Sequence, residues 1–202
     1  FNVNPYMTLL ITQATGKQLY IIDEIAMLDP NNTIKATCRE FMRKYNYHRA
    51  GLFIYGDPSG KKEDVGRDKG FNYFREILKE LDKYKPSLRV PNSAQPVVLR
   101  GNFINAIFSS NFDQIRINIF ENSTHLRNDF LFGLESSDGT KFKQRERNES
   151  GVSYEKYHHF SDAFDYLVCE MFKESLKRYE SGGEDKYMRI LGKNINNDRV
   201  RL

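Results

Sequence analysis

The sequence predicts an α/β fold in which a mixed central sheet, part antiparallel and part parallel, carries helices on both faces. Three observations predict it. Two β-prone runs near the start are joined by a short loop containing glycine, the pattern of a hairpin. Ala50 to Tyr55 (AGLFIY) is a compact apolar run without alternation, as expected of a strand buried on both faces. Several other stretches carry apolar residues at helical spacing, so helices and strands interleave along the chain.

The elements follow in order. Tyr6 to Gln13 and Gln18 to Ala26 are the hairpin arms, with Ala14-Thr15-Gly16-Lys17 as the turn. Pro30-Asn31-Asn32 offers a helix start, and Ile34, Cys38, Phe41, Met42 and Tyr45 follow at helical spacing. The Ala50–Tyr55 strand ends in Gly56-Asp57-Pro58-Ser59-Gly60, a rigid loop. Phe71 to Tyr84 is an amphipathic helix with Phe74, Ile77, Leu78 and Leu81 on one stripe. Ser87 to Val90 reads as a short strand, Pro96 to Ser109 as a helix despite Gly101, and Ile115 to Phe120 as a strand. Leu126 to Leu134 fits a helix or an extended connection. After the turn Ser137-Asp138-Gly139-Thr140 comes a basic stretch placed as the second arm of a hairpin. Ser161 to Tyr179 is the clearest helix, with Phe164, Leu167, Val168, Met171, Phe172 and Leu176 on its stripe, and Ser181-Gly182-Gly183 ends it. Residues 1–180 therefore read as one folded domain and 181–202 as a polar tail.

Composition narrows the function classes. A length of 202 residues suits one α/β domain and excludes a long multidomain machine. The net charge of +4 permits a nucleic-acid partner without demanding one. The two cysteines, Cys38 and Cys169, form neither a disulfide framework nor a zinc knuckle, and a reducing compartment follows. No apolar run reaches the roughly 18 residues of a membrane span, and no signal peptide opens the chain. The opening Phe1-Asn2-Val3-Asn4-Pro5 reads as the continuation of something longer.

A few residues stand out as chemistry. Asp57 follows a strand, where α/β folds build their sites; it is equally at home in a plain turn. His159 and Asp162 are spaced i, i+3, so one helix face carries both, either sharing an ion or facing solvent. Asp23-Glu24 after Leu19-Tyr20-Ile21-Ile22 resembles the Mg²⁺-binding strand of P-loop ATPases, but the phosphate loop is absent, and the two acids read as the end of a strand. His158 has no cysteine or third histidine to complete a zinc site. Cys169 reads as a packing residue. Lys141, Lys143, Arg145 and Arg147 alternate on the hairpin arm, as a strand edge protected by charge or as a phosphate-contacting finger. Lys61 and Lys62 add positive charge just after Asp57.

Together these pieces resemble the C-terminal nuclease domain of the large terminase subunit of tailed bacteriophages, over roughly Phe1 to Tyr179. Three motifs carry the resemblance: F-N-V-N-P-Y-M-T at the start, Y-G-D-P-S-G, and H-H-F-S-D-A-F-D-Y-L. It implies a ribonuclease H-like fold and a two-metal endonuclease that uses Mg²⁺ or Mn²⁺ to cut concatemeric viral DNA during packaging. It also implies that Asp57 and Asp162 are catalytic metal ligands, with His159 helping to hold metal. Lys61, Lys62, Lys141, Lys143 and Arg145 then fall to double-stranded DNA. An upstream ATPase motor, the small terminase subunit and the portal are the implied partners, in the cytoplasm of a bacterial host and without a membrane. The family's first-strand Asp normally stands immediately before this F-N, and Asn2 and Asn4, being neutral, do not replace it fully. A transposase- or resolvase-type nuclease, or an inactive DNA-binding domain, are the competing readings.

Overall fold

A computed structural model describes residues 5–63, 66, 69–148 and 151–183. The F-N-V-N opening and the tail from 184 onward lie outside the described residues. Strands β1 (Tyr6–Thr15) and β2 (Gln18–Leu28) pair antiparallel around Gly16, whose φ of +56° suits the tight turn. Strand β5 (Arg116–Ile119) adds parallel to β2. The sheet is therefore mixed, in the order β1-β2-β5.

Two apolar clusters sandwich this sheet. On one face Tyr6, Leu19 and Ile21 meet helices α3 (Val97–Ser110), α4 (Thr124–Phe132), α5 (His159–Met171) and α6 (Lys173–Arg178). On the other, Ile11 and Ile25 meet α1 (Ile34–Lys44) and the segment around α2 (Tyr73–Glu80). Strict alternation would put Ile21 and Ala26 on opposite faces, because they are an odd number of residues apart. Both nevertheless pack on the α5 side. A bulge opposite Ile11 and Thr12 makes this possible by admitting one extra residue in β2. Beyond the bulge ordinary alternation sends Asp23 and Glu24 to opposite faces. Asp23 reaches Lys44 Nζ at 2.7 Å and the Tyr45 hydroxyl at 2.9 Å, while Glu24 accepts from the first backbone N–H groups of α4. These two acids therefore hold helices, in the interior of a strand and not at its end.

The other elements depart from expectation in instructive ways. Strand β3 is only Phe53–Ile54, and it pairs parallel with β4 (Ser87–Leu88) in a separate two-stranded sheet. Phe53 is 60 % exposed beneath Arg89, so the AGLFIY run is not buried on both faces. Leu52 and Ile54 pack on the α1 side and Tyr55 on the α5 side, so the run does alternate. Residues 126–134, open between helix and extended chain, are mostly helix α4. The basic arm is not one strand. Lys141 bridges Glu135, and the ladder then breaks before β6 (Arg145–Arg147), which pairs antiparallel with β7 (Ser153–Glu155). The bonds from Ser136 N–H to Thr140 and from Phe142 N–H to Leu134 make that bridge, and the ladder ends where the Gln144 N–H turns back to Phe142. Among the described residues no helix is long and apolar enough to cross a membrane.

Candidate acidic site at the start of helix α5

Helix α5 begins under strain. His158, its capping residue, is left-handed at φ 79° and gives no side-chain cap. The cap comes from α4: Asp129 Oδ2 accepts the N–H groups of Phe160 and Ser161, both at 2.9 Å. Burial raises the Asp129 carboxyl above the usual carboxylate range despite these bonds. Gly133, just past α4, leaves room for the His158 ring, since a Cβ there would lie 2.4 Å from its Cε1. The first two turns of α5 are thus fixed in register against α4.

Those turns carry Asp162 and Asp165, one above the other at i, i+3. Lys141 inserts its ammonium between them. Nζ lies 2.8 Å from Asp162 Oδ1, 2.7 Å from Asp165 Oδ2 and 3.1 Å from the Ser161 hydroxyl oxygen. The side chain of Asp165 is 4 % exposed and that of Asp162 48 %. At 2.7 Å the Asp165–Lys141 contact is a close, buried ion pair. Burial raises the Asp165 carboxyl, against the pull of Lys141 and Arg100. Burial disfavours charge on Lys141 too, but the two carboxylates outweigh it and hold the ammonium protonated.

A second cation approaches from α3. Arg100, fully enclosed, places its guanidinium over the Tyr166 ring at 4.4 Å from the centroid. Its Nε and Nη1 have no hydrogen-bond partner among the described residues. The Tyr166 phenol is raised by burial, against the Arg100 contact, and further by the carboxylates of Asp57 and Asp162. Asp57 and Asp162 therefore both bear on one side chain, although they come from distant parts of the chain. Asp57 has a structural task as well: Oδ1 accepts the Ser59 N–H at 2.8 Å and caps a short 3₁₀ turn, Pro58–Lys61. Gly56 lets that loop lie close to α2, since a Cβ there would meet the Phe74 ring at 3.1 Å.

His159 goes elsewhere. It is buried, with Nε2 2.6 Å from the Glu155 carbonyl oxygen and its ring edge-on to Tyr6 at 5.4 Å. The polar face drawn opposite the stripe of α5 is thus packed at His159 and Cys169 and half-exposed at Asp162. Burial and Lys141 hold the His158 imidazole below its ordinary value, against the carboxylates of Asp129 and Asp162. Cys169 is buried too, and burial beside Asp165 pushes its thiol up to about 12, so it packs and does not attack.

The expected DNA-contacting residues separate into groups. Lys61 donates to the Val90 carbonyl at 2.6 Å and Lys143 pairs with Glu155 at 2.8 Å. Lys141 is committed to the acidic pair. Lys62, Arg145 and Arg147 are exposed, the last two on one face of β6. What the sequence reading missed is Asp165, Arg100 and the inward course of Lys141. The D-x-x-D spacing at Asp162 was the available signal for the first, and an arginine amid the apolar run V-V-L-R-G-N-F-I-N-A-I-F for the second.

Among the described residues no three His, Cys, Asp or Glu side chains converge at ligating distance. Two carboxylates and a hydroxyl do gather hard oxygen donors around a single positive charge, the donor chemistry that Mg²⁺ or Mn²⁺ takes. The charge in that place is the Lys141 ammonium. Comparison of the chain with protein-family models, with curated proteins and with solved structures finds no match.

Proposed function

We propose that this chain is a metal-dependent DNA endonuclease domain of ribonuclease H-like type, of the kind found in large terminases, cutting concatemeric double-stranded viral DNA during packaging. The observation that carries the reading is the pair Asp162 and Asp165, gathered with the Ser161 hydroxyl around one cation on the opening turns of α5; the charge of Asp57 also bears on the neighbouring Tyr166. Asp57 sits in the loop after a strand and Asp162 on the opening turn of a helix, as the sequence motifs lead one to expect, and Asp165 adds to them. Asp57 and Asp162 would hold Mg²⁺ or Mn²⁺, with Asp165 beside them. Such an ion supplies charge stabilisation for the attacking and leaving oxygens of a phosphodiester. The chain's own residues do the rest. Asp129 fixes the register of the helix that carries the acids, and Arg100 supplies a fixed positive charge beneath Tyr166. Exposed Arg145, Arg147 and Lys62 offer phosphate contacts that do not read bases. Partners under this reading are an ATPase motor, a small terminase subunit and a portal, in the cytoplasm of a bacterial host.

The test is Mn²⁺-dependent cleavage of supercoiled plasmid by the chain carrying an Asp immediately before Phe1, against Asp57→Asn and Asp162→Asn in the same background. Loss of cleavage in both variants supports the reading; cleavage that persists in both removes it. One observation favours a second reading, a catalytically silent DNA-binding domain: a lysine already occupies the place between the two acids. DNA binding without Mn²⁺-dependent cleavage selects that reading.

A further inference from the structure

We propose that Lys141 is a displaceable counter-ion: its ammonium holds the place between Asp162 and Asp165 that a divalent cation takes, and it withdraws when the cation binds. The inference rests on the metal-dependent reading above and adds a mode of control to the same site.

Four observations support it. First, Asp165 does not depend on Lys141 alone, because the enclosed Arg100 also acts on its carboxylate. A buried carboxylate left without any counter-charge would be costly. With Arg100 in place, and Asp162 half-exposed to water, the ammonium can leave without stranding either acid. Second, Lys141 brings one positive charge to two carboxylates, whereas a divalent cation brings two. Third, the ammonium stands among three oxygens, Asp165 Oδ2 at 2.7 Å, Asp162 Oδ1 at 2.8 Å and the Ser161 hydroxyl at 3.1 Å, the hard donors that such a cation takes.

Fourth, the lysine sits on a part of the fold that has little holding it. It lies just past the Asp138–Gly139 turn, in an arm whose hairpin bonds lie within it and whose Phe142 backbone also bonds the His158 side chain. Ser136 N–H donates to the Thr140 carbonyl and Phe142 N–H to the Leu134 carbonyl. Leu134 and Phe142, which flank the turn, are 56 % and 47 % exposed. The arm therefore has few buried contacts to lose when it shifts, the property of segments that open at low cost.

The experiment uses the native chain, Lys141→Met, which keeps most of the apolar stem, and Lys141→Met with Asp162→Asn. Mn²⁺ alone is titrated by calorimetry, and amide hydrogen exchange over residues 134–142 is followed in the native chain. The expected result is Mn²⁺ binding about tenfold tighter in Lys141→Met, lost again when Asp162 is changed, with Mn²⁺ accelerating exchange at Thr140 and Phe142 of the native chain. Equal or weaker binding by folded Lys141→Met overturns the proposal and leaves the metal-dependent reading standing. Unchanged exchange in a native chain that does bind Mn²⁺ does the same, and it needs no variant to fold. Absence of Mn²⁺ binding in both native and Lys141→Met chains overturns the proposal and the metal-dependent reading together.

Discussion

Replacing Asp129 by Ala removes the side chain that, among the described residues, caps helix α5, and the cost can be worked from the geometry. Asp129 Oδ2 accepts two backbone N–H groups at 2.9 Å, and both belong to buried residues. His158 stands at the cap position in a left-handed conformation and supplies nothing. Loss of a helix cap costs about 0.5–2 kcal/mol, and a buried N–H left without a partner about 1–3 kcal/mol. Relief of a carboxylate that burial disfavours offsets part of this, so a loss of about 2–4 kcal/mol is expected for Asp129→Ala. Asp129→Asn retains a carbonyl oxygen and should lose less than about 1 kcal/mol. The sign of the pH effect follows from the raised carboxyl: its contribution is fully present below the unfolded value of 3.8 and is lost as pH rises through the folded one. Native Asp129 should therefore fare worse against Asn at pH 7 than at pH 4. Urea unfolding followed by circular dichroism at both pH values measures all of this. An Asp129→Ala loss under about 0.5 kcal/mol would show that α5 is capped by something else and refute the reasoning.

Three further outcomes are expected. Changing Lys62, Arg145 and Arg147 to Ala should weaken binding to unrelated duplexes alike and flatten the log–log salt dependence by about one unit per lost phosphate contact, whereas Lys143→Ala should do less; an unchanged salt slope would remove the DNA role. His125, held above its ordinary value of 6.5 by the hydrogen bond it donates to Glu24, should stabilise the fold below that value and less so as pH rises through its folded value. A His125→Gln variant should flatten that part of the thermal-stability profile, and an equal slope in both proteins would refute the assignment. Cys38 and Cys169, both buried with thiols pushed up to about 12, should resist a thiol reagent at pH 8 until urea unfolds the chain. Rapid labelling of the native chain would contradict their burial.

What was legible in the sequence was local. The hairpin, α1, α3 and the long C-terminal helical region are written in periodicity and turn chemistry, and periodicity acts over a few residues. Burial of the AGLFIY run was not legible, because it depends on what lies on each face of β3. Only β4 pairs with it, and Phe53 is left exposed. The face of α5 opposite its apolar stripe looked solvated on a wheel, but a wheel shows one helix alone. Here β1 covers His159, and Lys141 with Arg100 closes over Asp165. The alternation drawn through Lys141, Lys143 and Arg145 assumed a continuous strand. The Gln144 N–H, turned back to Phe142, ends that continuity, and Lys141 pairs with the acids of α5 and not with a phosphate-facing row. Asp57 was legible both as a turn residue and as a site residue, and it is in fact a cap whose charge also reaches Tyr166.

The larger apolar cluster has a consequence for how the protein is made. Its floor is laid by Tyr6, Leu19 and Ile21, and its roof by Phe160, Phe164, Val168, Phe172 and Leu176, far downstream. Tyr6 and Phe160 meet only once the segment between them has emerged from the ribosome. Asp113 repeats the pattern in charge, joining Lys17 of the hairpin to Ser175 and Arg178 of α6. Until α5 is made, one face of the hairpin has no lid, so the nascent chain presents a sticky sheet to its surroundings through that interval. Slowing translation between the codons for Ile21 and Phe160 should therefore lower the yield of soluble protein, and a holding chaperone should recover the difference.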